Sequence, residues 1–280
     1  MISADSRQVY RGTDVATAKP TLDDRHGVPH HGLDLADPDE RFSVADFAGH
    51  VESILPSIEA CRGVALLVGG TGFWLRAIAD GLDLDALPWD PDIRAALEAD
   101  LDGGGLGALA ARLQAVAPAL AASVDLRNPR RVVRALEIAT LQGDVPRPAP
   151  RGYGAPVLRI TLDMGDRAVH RAVIARRSAA QLDGGILPEA EALRARYPLD
   201  LPAFSAIGYR EAWDLLDGRI DRAGYLAANV ARNLAYARRQ RTWFRATPAD
   251  LALDAGDPRV ASVALERVRA FARASLRPAV

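Results

Sequence analysis

The sequence predicts an α/β fold with a helical insertion, and three observations carry that prediction. Strand, loop, helix, strand and helix alternate from Met1 to about Asp80, the signature of an α/β protein. The apolar run Val64-Ala65-Leu66-Leu67-Val68 reads as a buried strand that breaks into Gly69-Gly70-Thr71-Gly72 and resumes as a helix through about Asp80. A strand feeding a glycine turn and a helix start is how such folds build an anion or nucleotide site. After Gly81 the texture changes to alanine-rich helical segments between Pro88 and Pro150, flanked by Pro- and Gly-rich linkers. The expected organisation is therefore a core formed by residues 1–87 and 151–280, with residues 88–150 as an inserted helical domain.

Composition limits the function classes. With 280 residues, 49% of them hydrophobic, the chain can bury a sizeable core. No run of 18 apolar residues occurs, so no membrane span is expected, and the first residues lack the order of a signal peptide. Cys61 is the only cysteine, which excludes a disulfide framework and fits a cytoplasmic location. A net charge of -1 argues against unspecific coating of nucleic acid but allows a local basic cleft. Lys19 is the only lysine, so 34 of the 35 basic residues are arginine, the better residue for bidentate phosphate contacts.

Taken in order, Met1 to Tyr10 reads as the end of a strand followed by a polar turn. Asp5 then sits where open α/β sheets keep functional carboxylates, at a strand's carboxyl end; capping the next turn is its other reading. Arg11 to Lys19, closed by Pro20, is expected to be irregular. His30 and His31 are adjacent, point to opposite faces of a strand and have no nearby cysteine, so they do not suggest zinc. Ser43 opens a helix with Asp46 three residues on, a capping-box pair, and Phe47, Val51, Ile54 and Ile58 share one face of it. In the glycine turn Thr71 is the only hydroxyl, which makes it either a group at a reacting centre or an N-cap.

Leu84 to Pro91 reads as a linker. Asp92–Leu101 and Gly107–Val116 then read as short helices separated by Gly103-Gly104-Gly105, with Arg94 in the first turn. Asn128 to Glu137 begins a helix with a basic face, Gly143 to Gly154 is a linker, Val157 to Asp163 is a strand, and His170 to Leu182 is a helix that includes Arg177. Pro202 to Glu211 joins an aromatic and a cation at a turn into a helix. Tyr225 to Arg245 is a long helix ending in the densest basic cluster, interleaved with aromatics. Such a helix suits a phosphate backbone and unpaired bases, and equally a solvated surface. From Ala246 on, the sequence gives no clear pattern.

Several stretches, in this order, resemble the tRNA dimethylallyltransferase family. They are Ala4 to Gly12, Ala16 to Pro20, Pro29-His30-His31, Ser43 to Phe47, Leu67 to Gly72, Asn128 to Glu137, Ala206 to Glu211 and Arg239 to Arg245. The resemblance implies a P-loop-type parallel sheet flanked by helices, with an α-helical insertion. It also implies transfer of a dimethylallyl group from dimethylallyl diphosphate to N6 of the adenosine 3′ of the anticodon, with Mg2+ accompanying the diphosphate. Asp5 matches the family's carboxylate that takes the adenosine proton, and Thr71 the threonine near the reacting adenosine. Arg94 and Arg177 match arginines near the diphosphate. The tRNA-contacting positions carried over are Asp5, Ser6, Arg7 and Gln8, then Thr71 and Arg94, then Arg130, Arg131, Val132, Val133 and Arg134. Ser205, Ala206, Ile207, Gly208, Tyr209 and Arg210 follow, and last Arg238, Arg239, Gln240, Arg241 and Arg245. The implied partners are a tRNA anticodon stem-loop and dimethylallyl diphosphate, acting on a monomer without a membrane.

One departure stands out. The family opens with a Gly-x-x-x-x-Gly-Lys-Ser/Thr phosphate loop, and no such motif occurs in this sequence. The expectation is that the natural start lies upstream of Met1; a chain that truly starts here is expected to have weak or absent transferase activity and marginal stability. An adenylate isopentenyltransferase, a non-catalytic tRNA-binding remnant and a nucleotide kinase relative are the competing expectations.

Overall fold

The computed structural model describes residues 1–61, 64–84, 88–146 and 148–275. They form two compact units, one of Met1–Ala79 with Ala155–Val280 and one of Asp80–Gly154. Residues 85–87 of the expected Leu84–Pro91 linker lie outside the described residues.

The first unit begins with β1 (Ile2–Ser3), α1 (Val44–Ala60), β2 (Leu67–Val68) and α2 (Gly72–Ala79). The strands β1 and β2 run parallel, with Ile2 opposite Leu67 and Ser3 opposite Val68. On its other side β1 bridges His31, so Ser3 N–H donates to the His31 carbonyl at 2.8 Å. Ser43 caps α1 as its spacing predicts: its hydroxyl accepts the Asp46 N–H, and the Asp46 carboxylate accepts the Ser43 N–H at 2.7 Å. From α1, Phe47 and Val51 are buried, and Phe47 stacks on Trp74 of α2 with ring centroids 4.4 Å apart.

The strand expected over residues 64–68 is shorter and more exposed than its apolar run suggests. Only Leu67 and Val68 pair, while Val64, Leu66 and Val68 are exposed. The physical reason is that β2 has one strand neighbour among the described residues, so its outer edge is uncovered.

The elements of the second segment of this unit are β3 (Ile160–Asp163), α6 (Arg167–Asp183), α7 (Ile186–Arg194), a 3₁₀ turn (Pro202–Ser205), α8 (Tyr209–Leu216), α9 (Arg222–Arg245), β4 (Leu251–Asp254) and α10 (Val260–Ser275). Between the units' segments, α3 to α5 belong to the second unit. The strand β3 begins three residues later than its sequence pattern predicts and pairs in parallel with β4, Ile160 opposite Leu251. Phe204, Tyr209 and Trp213 form an aromatic knot in the core, with Phe204 edge-on to both rings at 5.5 and 5.4 Å. Such pairs add about 0.5–1.5 kcal/mol each beyond their area burial.

The second unit holds α3 (Pro91–Val116), α4 (Pro118–Ala122) and α5 (Pro129–Gln142). Two helices were expected here, and α3 is indeed broken at Gly105, whose φ of 75° takes the backbone out of the helix. Asp90 caps α3, and Asn128 caps α5 by accepting the Arg131 N–H at 3.3 Å. Leu97, Leu109, Leu113, Leu120, Val132 and Leu136 make its core. Among the described residues no helix is long and apolar enough to cross a membrane.

The glycine turn after β2 exists because two backbones meet there. A methyl on Gly69 would overlap the Ala4 carbonyl, the last acceptor of β1. Gly69→Ala is therefore expected to destabilise the first unit by about 1–3 kcal/mol, read as a lower urea midpoint at unchanged m-value.

Candidate active site

The site builds from the ends of β1 and β2. Ala4 N–H donates to the Val68 carbonyl at 2.7 Å, and Thr71 N–H donates back to the Ala4 carbonyl at 3.3 Å. This brings the residues after β1 against the glycine turn. Asp5 follows, half-buried, and its Oδ1 accepts the Arg7 N–H at 2.8 Å, an Asx turn that fixes the carboxylate. Thr71 Oγ1 accepts the Ser6 N–H at 3.1 Å and donates to Ser6 Oγ at 3.3 Å. The Thr71 carbonyl starts α2 by accepting the Trp74 and Leu75 N–H groups. Its hydroxyl thus binds the Asp5–Ser6 segment, which joins the two residues the sequence singled out.

The floor of the turn is made by α9. Tyr236 hydroxyl and Gln240 Nε2 both donate to the Gly70 carbonyl, at 3.2 and 3.1 Å. Burial, and then the negative charge of Asp5, push the Tyr236 phenol up, so it stays a donor through neutral pH. Trp243 covers Gly72, where a Cβ would strike its indole ring. Tyr236 is a site residue that the sequence reading missed. The available signal was the spacing of Tyr225, Asn229, Asn233, Tyr236, Gln240 and Trp243, steps of three and four that put one stripe along α9.

Other predicted residues divide by their surroundings. Arg7 is half-buried and its Nη1 donates to the Pro202 carbonyl at 3.0 Å. Gln8 works inside the fold: Ser3 donates to its Oε1, and its Nε2 donates to the Thr17 and Ala18 carbonyls. Ser205 and Arg210 are exposed and Ile207 is half-buried. Ala206, Gly208 and Tyr209 are buried, so their side chains offer no surface to an RNA. Tyr209 in particular cannot stack on a base, because it sits in the aromatic knot and its hydroxyl donates to Glu189 at 2.7 Å. Glu189 also accepts the N–H groups of Asp14, Val15 and Ala16, so this pair anchors the loop ahead of Lys19.

At the end of α9, Arg238, Arg239 and Arg245 are exposed, with Arg239 lying 5.6 Å from the centroid of the Tyr236 ring. Arg241 is instead tied to the Asp163 carboxylate at 2.7 Å and to the Met164 carbonyl. Arg177 of α6 is exposed and donates to Asn233 of α9 at 2.8 Å.

Arg94 and Arg130 to Arg134 belong to the second unit. Arg130 and Arg131 are exposed on the first turn of α5. Val132 and Val133 are 0% and 2% exposed: they fill the core of the unit and have no side-chain surface for RNA. Arg94 and Arg134 converge on Glu137, which is fully buried. Glu137 also accepts the Asp90 N–H at 3.2 Å, and Arg134 donates to the Pro88 carbonyl at 2.8 Å. The Nε of Arg94 is buried and, among the described residues, has no hydrogen-bond partner.

A family model described as IPP transferase matches residues 8–247. The chain belongs to the IPP transferase family. It is 40% identical over 282 residues to a tRNA dimethylallyltransferase of Burkholderia mallei, covering 96% of this chain and 86% of the relative, and matches one from Burkholderia pseudomallei equally. Among solved structures it resembles the tRNA isopentenylpyrophosphate transferase of Bacillus halodurans, with a TM-score of 0.66, 36% identity and coverage of 97% of this chain and 87% of that one. A eukaryotic dimethylallyltransferase acting on tRNA shares the fold, with a TM-score of 0.76 at 19% identity, over 99% of this chain and 74% of that chain. The IPP transferase match covers all of the second unit and most of both segments of the first, Thr71 and Tyr236 included, and begins three residues after Asp5.

Proposed function

We propose that this member of the IPP transferase family moves a dimethylallyl group from dimethylallyl diphosphate to N6 of the adenosine 3′ of a tRNA anticodon. The observation that carries this reading is the Ser6–Thr71 pairing, which sets the Asp5 carboxylate beside a hydroxyl and a glycine turn at one end of the β1–β2 pair. An exocyclic amine is a poor nucleophile, and it gains from losing its proton as it reacts. The N6–C bond forms as the C–O bond to the diphosphate breaks. The N6 proton passes to Asp5, and the diphosphate leaves with the electron pair. Thr71 and Tyr236 supply hydroxyls that orient the adenosine side of the reaction.

Within this reading the parallel strands β1 and β2 belong to a P-loop-type sheet, and Asp80–Gly154 is the helical insertion domain. Arg94 and Arg177 serve the diphosphate, and Arg130, Arg131, Arg238, Arg239 and Arg245 serve the anticodon stem-loop. The protein acts as a cytoplasmic monomer. Among the described residues no three His, Cys, Asp or Glu groups gather to hold a metal. Mg2+ would arrive with the diphosphate and offset leaving-group charge.

The test is transfer from labelled dimethylallyl diphosphate to an anticodon stem-loop carrying the target adenosine, beside a loop with guanosine there. Transfer to the first alone supports the reading, and transfer to free adenosine monophosphate but not the stem-loop overturns it. Removing positive charge from the end of α9 should act on RNA affinity alone. Arg238→Gln combined with Arg245→Gln is expected to weaken stem-loop binding and to lower the slope of log K against log salt by about 1.4, near 0.7 per lost contact on a single strand.

A further inference from the structure

The polar stripe of α9 continues from Gln240 and Tyr236 back through Asn233, Asn229 and Tyr225. Its middle is a closed chain of hydrogen bonds to α6. Arg177 Nη2 donates to Asn233 Oδ1 at 2.8 Å. Asn233 Nδ2 donates to the Asn229 carbonyl and to Asn229 Oδ1, at 3.0 and 2.8 Å. Ser178 Oγ donates to Asn229 Oδ1 at 2.8 Å, and Asn229 Nδ2 donates to the Tyr225 hydroxyl at 3.3 Å. Ser178, Asn229 and Asn233 are all buried, so the chain is satisfied internally and rigid.

What this chain holds differs from the carboxylate-paired arginines of the protein. Arg94, Arg134, Arg232 and Arg241 each meet a carboxylate. Arg177 meets an amide, and among the described residues no carboxylate pairs with it. An amide fixes a guanidinium through a neutral acceptor and leaves its charge uncancelled. A carboxylate in the same place would fix it more firmly and neutralise it. Asn233 lies three residues from Tyr236, about 4.5 Å along the axis of α9, so Arg177 is tethered to the same stripe of α9 whose Tyr236 and Gln240 donate to the Gly70 carbonyl.

We propose that Asn233 is a positioning residue that presents Arg177, with its charge intact, to an anionic ligand, the diphosphate of the reaction above. The identity of that anion rests on the prenyl-transfer reading; the tether does not.

The test is a double-mutant cycle on the full chain, with inorganic diphosphate as the probe and calorimetry as the readout. Arg177→Gln is expected to weaken diphosphate binding about 10–100-fold, the range for losing a charge-assisted hydrogen bond. Asn233→Asp is expected to weaken it about tenfold by pairing with Arg177, and to have no further effect in the Arg177→Gln background. In turnover, Asn233→Asp should raise KM for dimethylallyl diphosphate while leaving stem-loop affinity unchanged. Should Asn233→Asp fail to fold, Asn233→Ser removes the tether without adding charge and is expected to lose its effect in the same background. An equal loss with and without Arg177 would show that Asn233 acts through the fold and overturns the proposal. So would an Arg177→Gln protein that binds diphosphate like the parent, or a parent that does not bind it. Coupled diphosphate binding without prenyl transfer would sustain the tether and refute the reaction; prenyl transfer with no coupling would do the reverse.

Discussion

Asp5→Asn is expected to lower kcat for prenyl transfer by about 10²–10⁴-fold while moving KM for either substrate little, the range set by a positioned general base. The substitution is well suited to the question. Asn keeps an oxygen to accept the Arg7 N–H that Asp5 Oδ1 accepts at 2.8 Å, so the turn after β1 is preserved. The Ser6 and Thr71 contacts involve no Asp5 atom and survive as well. Only the capacity to take a proton is lost. Single-turnover rates at saturating stem-loop measure the step directly, and a thermal melt shows that the fold is unchanged. A rate within about threefold of the parent would remove Asp5 from the chemistry.

The largest stability effect is expected in the second unit. Glu137→Leu should cost about 3 kcal/mol, the low end for breaking a buried ion pair, because Arg94 and Arg134 keep a quarter of their side-chain surface in water. The loss has three parts: two arginines without their shared anion, and the Asp90 N–H without its acceptor. Glu137→Gln keeps the size and one acceptor and should cost less. Urea unfolding followed by Trp89 fluorescence, the one tryptophan in Asp80–Gly154, reads this unit. Burial pushes the Glu137 carboxyl up, but the hydrogen bonds from Arg134, Arg94 and Asp90 outweigh it and hold its pKa below the ordinary glutamate value. A lowered folded-state pKa means that the unfolded chain binds the proton first. The stabilisation is therefore complete above about pH 4.3, the unfolded value, and fades as pH falls through the lower folded one. The Glu137→Leu protein should lack that acid-side loss.

What the sequence revealed follows from which signals are local. The Ser43–Asp46 cap, the break at Gly105 and the turn after Val68 are each decided within a few residues, and each stands where its pattern puts it. That Asp5 ends a strand and Thr71 sits in a glycine turn was legible for the same reason; that the two segments meet, 65 residues apart, is not a local signal and was only implied by the family resemblance. The partner β4 of β3 was not, because four residues, Leu251–Asp254, carry too little alternation to stand out from a tail. Burial of Tyr209 and Val132 was also hidden. An aromatic or a valine beside arginines looks alike on a surface and at its edge, and only the helix packing of Phe204, Trp213 and Leu136 decides. On α9 the eye follows the charges of Arg238 to Arg245, whereas the residues that touch the glycine turn are neutral.

The first unit is made of two segments with the second unit's residues between them, and this bears on how the chain assembles during synthesis. Gly70 receives its hydrogen bond from Gln240, 170 residues later, and Asp14 meets Glu189, 175 residues later. Closing such loops carries an entropy cost that local helices do not meet, so Asp80–Gly154 can form while the ribosome is still making α6 to α9. Until α9 emerges, the glycine turn lacks the Tyr236 and Gln240 hydrogen bonds to the Gly70 carbonyl. Nascent-chain protection should therefore appear at α3 and α5 first and at β1 last, although β1 is synthesised before either.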